Sequence, residues 1–119
     1  VSGPFHSPLM EAARVEFAQY LESVEFSNPG KPFISNSTGT IPGSGEEAKQ
    51  NCIDQIVNPV RWVATEELLL GTGFDTYLET GPGKVLSGLW KSFYKKQKCL
   101  PMGNLESIET LKKEAESET

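Results

Sequence analysis

The sequence predicts an α/β fold, part of a three-layer arrangement with a mostly parallel sheet and flanking helices, and three observations carry that prediction. Apolar residues recur at helical spacing in several segments. Short segments of four or five residues that read as strands fall between them. Turns rich in Gly and Pro separate the two kinds. Helices alternating with strands form parallel sheets covered by helices. Composition agrees, since 37% hydrophobic and 9% aromatic residues in 119 can build one packed core and lie far from the disordered range.

Each element has a local cause. Ser7-Pro8 is a cap followed by a proline at the first helical position, and Leu9, Ala13, Phe17, Tyr20, Leu21 and Val24 then repeat on one face. Asn28-Pro29-Gly30 ends that helix, and Pro32 to Asn36 reads as a short strand. Thr38 to Gly45 is a loop by its glycines and proline. A helix over 46–57 turns Ala48, Cys52, Ile53 and Ile56 inward. Asn58-Pro59 repeats the cap-plus-proline device and opens another helix with Trp62, Val63, Leu68 and Leu69 as apolar positions, stopped by Gly71 and Gly73. Phe74 to Leu78 is a strand, Gly81-Pro82-Gly83 a turn, 84–94 a helix, Lys98 to Pro101 a strand and 105–115 a helix capped by Asn104. Three strands make a narrow sheet whose edges need cover. That need, and a chain opening on Val1-Ser2-Gly3, lead us to expect a piece of a longer polypeptide.

Several function classes are disfavoured at once. A net charge of −5 does not suit nucleic acid, which requires a dense basic face. No apolar run approaches bilayer length and there is no secretory leader, so a cytoplasmic protein without membrane contact is expected. Cys52 and Cys99 match no metal spacing and read as thiols of a reducing compartment.

His6, the sole histidine, stands in a Gly-Pro-Phe-His-Ser loop ahead of a helix. A lone histidine is more often structural than catalytic, but functional groups concentrate on loops held by rigid elements. A histidine base also needs a nucleophile and an orienting acceptor, and no Gly-x-Ser-x-Gly elbow occurs. Gly81-Pro82-Gly83 before a helix could hold an anion on main-chain N–H groups, although a tight strand-to-helix turn is the simpler reading. Lys91, Lys95, Lys96 and Lys98 are either a solvated helix end or a docking patch for an acidic partner. Trp62 and Trp90 fall at helical spacing and read as core.

Three motifs resemble one family. Val1-Ser2-Gly3-Pro4-Phe5-His6-Ser7-Pro8-Leu9-Met10 resembles the V-S-x-P-x-H-x-x-L-M stretch of malonyl-CoA:acyl carrier protein transacylases. Gln55 to Trp62 is similar to their Q-x-x-x-P-V-x-W, and Glu79 to Leu89 to their E-x-G-P-G-K-V-L-x-G-L. The three keep the family's order and cover about the first hundred residues. The resemblance implies that residues 1–104 are the carboxy-terminal part of an acyltransferase α/β domain, with a terminal helix and charged, fraying tail over 105–119.

It further implies ping-pong transfer of malonyl from CoA to the phosphopantetheine thiol of acyl carrier protein, in fatty acid biosynthesis and without a cofactor beyond these substrates. A serine in the family's G-H-S-L-G carries the acyl group, and here that serine, the carboxylate-binding arginine and the oxyanion-hole glutamine would lie in a missing amino-terminal part. The catalytic groups implied in this chain are His6, as general base and then acid, and the main-chain carbonyl of Gln55, as its orienting acceptor. Phe5, directly before the histidine, is similar to the residue that accompanies malonyl in polyketide-synthase acyltransferases and would bind substrate by crowding an α-methyl group, a preference of only ~1–3 kcal/mol. Arg14 and Arg61 sit outside the family's arginine motif, and Ala12 stands where proline is common.

Three alternatives remain at this stage. The chain could be a non-enzymatic module docking an acidic carrier protein or phosphate through Lys91 to Lys98 and the Gly-Pro-Gly turn. It could be an acyltransferase domain of a polyketide synthase, although its ending without a further domain favours a stand-alone enzyme. A self-sufficient hydrolase using Ser2 or Ser7 with His6 is the least favoured, since neither serine stands on an elbow.

Overall fold

A computed structural model of the chain describes residues 3–94 and 96–117. Val1 and Ser2 of the first motif, Lys95 of the basic cluster, and Glu118 and Thr119 of the tail lie outside the described residues. The chain divides into two compact units, Val1–Thr72 and Gly73–Thr119.

In the first unit the expected amino-terminal helix forms in two stages. A 3-10 turn over Pro8–Met10, closed by Met10 N–H donating to the Ser7 carbonyl at 3.0 Å, leads into helix α1, Glu11–Glu22. Pro8 occupies the first position as anticipated, but the Ser7 side chain does not cap. Its hydroxyl donates backwards to the Pro4 carbonyl at 2.6 Å.

Helix α2 spans Gly45–Asp54. It starts a residue earlier than the sequence predicts because Ser44 is its cap, accepting from Glu47 N–H at 3.1 Å, while the Glu47 carboxylate turns back to accept from Gly43 N–H at 2.7 Å. This is a Ser-x-x-Glu capping pattern, shifted by one residue at its return bond. Gly45 is required at the first helical position. Its N–H donates to Asn28 Oδ1 at 2.9 Å, and a Cβ there would overlap the Phe26 carbonyl and lie 2.6 Å from that of Ser27. Lys49 Nζ donates to the Val24 carbonyl at 3.0 Å, so α2 also ties down the segment leaving α1, against which it packs.

Two expectations for this unit are corrected. Pro32 to Asn36 forms no strand, and Asn36 already lies in a turn. Ser35 bonds locally, its N–H to the Thr40 carbonyl at 2.9 Å and its carbonyl from Gly39 N–H at 2.7 Å, and a segment without a neighbouring strand has no ladder to join. Asn58-Pro59 does not open a helix either. Helix α3 is Trp62–Gly71, beginning only after Arg61 N–H has donated to the Asn36 carbonyl at 2.7 Å. Its buried residues are Thr65 and Glu66, whereas Val63, expected inside, is exposed.

The second unit is a βαβ motif with a further helix. Strand β1 (Tyr77–Thr80), helix α4 (Val85–Phe93), strand β2 (Cys99–Met102) and helix α5 (Leu105–Ser117) follow in order. β1 and β2 pair in parallel, Tyr77 opposite Cys99 through Thr80 opposite Met102, and α4 connects them while packing on both. The sheet therefore has two strands among the described residues, where the sequence predicts three. β1 begins three residues later than expected, leaving Phe74 exposed. Pro101 lies within β2, a position tolerated because a two-stranded sheet consists of edges.

Trp90 is the centre of this unit, only 3% exposed, with its ring 4.5 Å from that of Tyr77 and 5.1 Å from that of Tyr94. Its indole N–H donates to the Gln97 carbonyl at 2.9 Å, so the one polar atom of the buried ring is satisfied. α5 starts as predicted, with Asn104 Oδ1 accepting from Ser107 N–H at 2.9 Å, and packs on β2. No helix among the described residues is long and apolar enough to cross a membrane.

Candidate active site around His6

His6 is an exposed residue with φ of +56°, the one described non-glycine residue in the left-handed region. That conformation costs a β-carbon-bearing residue about 1–2 kcal/mol, and such outliers gather at functional sites. Here the turn is fixed on its carboxy side by the Ser7 bonds to Pro4 and Met10 already described. Phe5 immediately precedes it, 56% exposed, its ring lying against Gly3 so closely that a Cβ there would be 2.7 Å from Cε2.

The structure brings His6 and Gln55 together across 49 residues. His6 Nδ1 lies 2.7 Å from the Gln55 carbonyl oxygen. A carbonyl only accepts, so Nδ1 carries a proton, and in the neutral ring the lone pair is then on Nε2. Nε2 has no hydrogen-bond partner among the described residues. The ring is thus oriented by one neutral acceptor and exposed at its basic nitrogen, which is how a histidine is prepared to take a proton. Gln55 holds its place as the C-cap of α2, its N–H donating to the Asn51 carbonyl at 3.1 Å. Its side chain is not part of this contact, reaching only to Cys52 Sγ at 4.0 Å.

Other candidates are engaged elsewhere. Arg14 forms a two-pronged pair with Glu11, Nε to Oε2 at 2.9 Å and Nη2 to Oε1 at 2.6 Å. The hydrogen bond from Arg14 holds the Glu11 carboxyl below its usual range, while Glu11 raises the Arg14 guanidinium. In the second unit, the Gly81-Pro82-Gly83 loop does lead into a helix amino terminus. There the Glu79 carboxylate accepts from Leu86 N–H at 3.0 Å and Ser87 N–H at 2.8 Å, so the chain supplies its own anion. Those two main-chain donors hold the Glu79 carboxyl below its ordinary 4.5, against the opposing effect of burial. Lys91, Lys96 and Lys98 are exposed, and among the described residues none pairs with a carboxylate. No three His, Cys, Asp or Glu residues cluster among the described residues.

The sequence reading missed two buried polar groups in the first unit. Glu66 is fully buried, with Oε1 accepting from the Trp62 indole N–H at 2.8 Å and Oε2 without a partner among the described residues. Asn51 is 8% exposed with its Nδ2 likewise unpartnered, beside a cavity of about 540 Å³ that Phe26, Phe33, Cys52 and Gln55 also line. The Trp62–Glu66 spacing, one helical turn, was the available signal for the first. Nothing local marked the second.

No family model matches the chain. Individual proteins do. The malonyl CoA-acyl carrier protein transacylase of Bacillus subtilis is 36% identical over 96% of this chain and 37% of its own length. The malonyl CoA-acyl carrier protein transacylase structure from Clostridium perfringens superposes with a TM-score of 0.89 at 30% identity, covering 99% of this chain and 38% of that one. A malonyl-transacylase solved in complex with a type II polyketide synthase acyl carrier protein gives a TM-score of 0.87 at 35% identity, over 92% of this chain and 36% of that one. The chain spans between a third and two-fifths of the length of these relatives. Over nearly all of its own length, in sequence and in backbone, the chain is similar to part of the malonyl-CoA:acyl carrier protein transacylases.

Proposed function

We propose that the chain carries the base-bearing part of a malonyl-CoA:acyl carrier protein transacylase of fatty acid biosynthesis. The observation that supports this best is the 2.7 Å contact from His6 Nδ1 to the Gln55 carbonyl, joining two of the three family-like motifs in one proton-handling pair. In this reading a serine outside the chain attacks the malonyl thioester of CoA. His6 Nε2 takes the serine proton as the C–O bond forms, and that proton passes to the departing CoA sulfur as the C–S bond breaks. The phosphopantetheine thiol of acyl carrier protein then gives its proton to His6 and attacks the seryl ester, and the serine oxygen takes the proton back.

Gln55 acts as a positioning residue through its carbonyl. A neutral acceptor fixes tautomer and ring angle but stabilises the imidazolium less than a carboxylate would. Phe5, exposed beside His6, is the residue that would disfavour an α-branched acyl group. We take residues 1–104 as part of the acyltransferase α/β domain and 105–119 as its terminal helix and tail, in a cytoplasmic enzyme that uses no cofactor besides its substrates. The relative solved with a polyketide carrier protein favours one second reading, the same chemistry serving a polyketide synthase.

The test is His6→Ala in the complete polypeptide, followed by the rate of malonyl transfer to carrier protein. A loss of about 10²–10⁴-fold is expected, the usual worth of a general acid–base group. An unchanged rate would remove His6 from the mechanism.

A further inference from the structure

We infer that Pro59 is a positioning residue for His6, acting through the N–H that it lacks. The α2 ladder ends in a particular way. Gln55 N–H donates to Asn51 O, and Val57 and Asn58 N–H both donate to Asp54 O at 3.2 and 3.1 Å. α2 has ended at Asp54, and Ile56 N–H already bonds i to i−3, to Ile53 O at 3.3 Å. The Asn58 bond again spans four residues, and a chain continuing as a helix would next close residue 59 on the Gln55 carbonyl. Residue 59 is proline, so that donor does not exist. No other main-chain donor among the described residues takes the Gln55 oxygen, and His6 Nδ1–H does.

The four-residue interval from Gln55 to Pro59 is therefore the interval at which a helix would have closed this carbonyl. Proline also keeps Asn58 from propagating the helix, since the residue before a proline disfavours helical backbone. Packing does not account for the residue, because Pro59 is exposed. The chain then leaves through Arg61 N–H bonded to Asn36 O at 2.7 Å, an exit that a helix extended past residue 59 would disturb.

With Pro59→Ala, residue 59 gains the N–H that closes on Gln55 O if the turn after α2 continues with helical spacing. A carbonyl has two lone pairs, so the new bond weakens the His6 contact instead of abolishing it. The effect is a loss of preference for the Nδ1–H tautomer. The catalytic consequence, though not the structural one, rests on the proposed role of His6.

The experiment is ¹⁵N NMR of the His6 imidazole in the complete polypeptide, which separates Nδ1–H from Nε2–H, the signal being assigned by comparison with His6→Ala. The ratio of the two should fall about fivefold in Pro59→Ala, less than the roughly tenfold worth of a whole hydrogen bond because the contact is weakened and not lost. A second variant carries lactic acid at position 59, which has alanine's methyl group but an ester oxygen in place of the N–H. It should keep the parent ratio within about twofold, since no donor has been added. An unchanged ratio in the alanine variant, or an equal loss in the ester, overturns the inference, the latter by showing that the ring and not the missing donor matters. Should the alanine variant not fold, the ester alone decides, a parent-like ratio supporting the inference and a lost Nδ1–H signal overturning it. Kinetics of the complete polypeptide separate this from the functional reading. A tautomer shift accompanied by an unchanged kcat leaves Pro59 in its role and removes His6 from the chemistry, whereas a lowered kcat at constant KM, restored by the ester, joins the two.

Discussion

The two units finish a helix end in opposite ways. In residues 73–119 the amino terminus of α4 is closed from within, its first N–H groups given to Glu79 from the preceding strand. In residues 1–72 the carboxy terminus of α2 leaves one carbonyl, Gln55, open to a side chain 49 residues earlier. Orphan backbone groups at helix ends must find partners. A nearby partner makes the end structural, and a distant titratable one makes it a candidate site. The Gly-Pro-Gly turn looks more like a binding motif in sequence than Gln55 does, yet it is the satisfied one.

The sharpest way to break this contrast is Gly45→Ala. A methyl group at the start of α2 would overlap the main-chain oxygens of Phe26 and Ser27, which no rotamer change can relieve. We expect a destabilisation of about 3 kcal/mol, at the upper end for overpacking. Denaturant unfolding followed through the His6 imidazole signal measures it, because α2 carries Gln55. The Leu86 and Ser87 amide signals should hold their native shifts up to the parent's midpoint. Simultaneous loss of both sets would mean that the helix ends are not set independently.

That glycine also shows what was legible in the sequence. The helices, the parallel pairing and the His6 motif follow from local pattern, since spacing of apolar residues and Asn104 or Pro8 at a helix start act over one turn. The start of α2 was within reach too, as Ser44 and Glu47 have capping spacing, but the glycines around them read as loop. Segment 32–36 reads as a strand in sequence and is none in the fold, because a strand is defined by its neighbour and not by its own residues. Pro59 reads as the beginning of a helix in sequence, yet α2 has ended at Asp54 before it and α3 starts only at Trp62. Its two meanings differ only in whether the preceding carbonyls are already occupied, a fact of three dimensions. The burial of Glu66 and the exposure of Val63 likewise depend on which face of α3 the rest of the unit covers.

Trp62→Phe tests the polar interior that follows the open helix end. It keeps most of the ring and removes the one donor to Glu66, leaving a fully buried carboxylate unsatisfied at both oxygens. The expected cost is about 1–3 kcal/mol, the penalty for an orphaned buried acceptor. Trp62→Phe combined with Glu66→Leu should recover most of it, since removing both partners is far cheaper than removing one. Failure of the double variant to recover would assign the loss to the indole's packing.

The smallest effect concerns the closed end. Glu79 has its carboxyl held below 4.5 by the Ser87 and Leu86 N–H groups, so its charged form is the one the folded unit favours. A group depressed in the folded state contributes fully above its unfolded value and loses that contribution as pH falls through the lower folded one. The α4 amino terminus should therefore be stable near neutrality and loosen only in acid below about 4.5, seen as rising hydrogen exchange at Leu86 and Ser87. Glu79→Gln removes the charge that the helix dipole favours and can offer one acceptor oxygen where two were used. Exchange at these two amides should then be faster at neutral pH and should lose its acid-dependent step. His6 and Gln55 should be unaffected, because their contact requires a helix end that is open, and this one is closed by a charge that proline cannot replace.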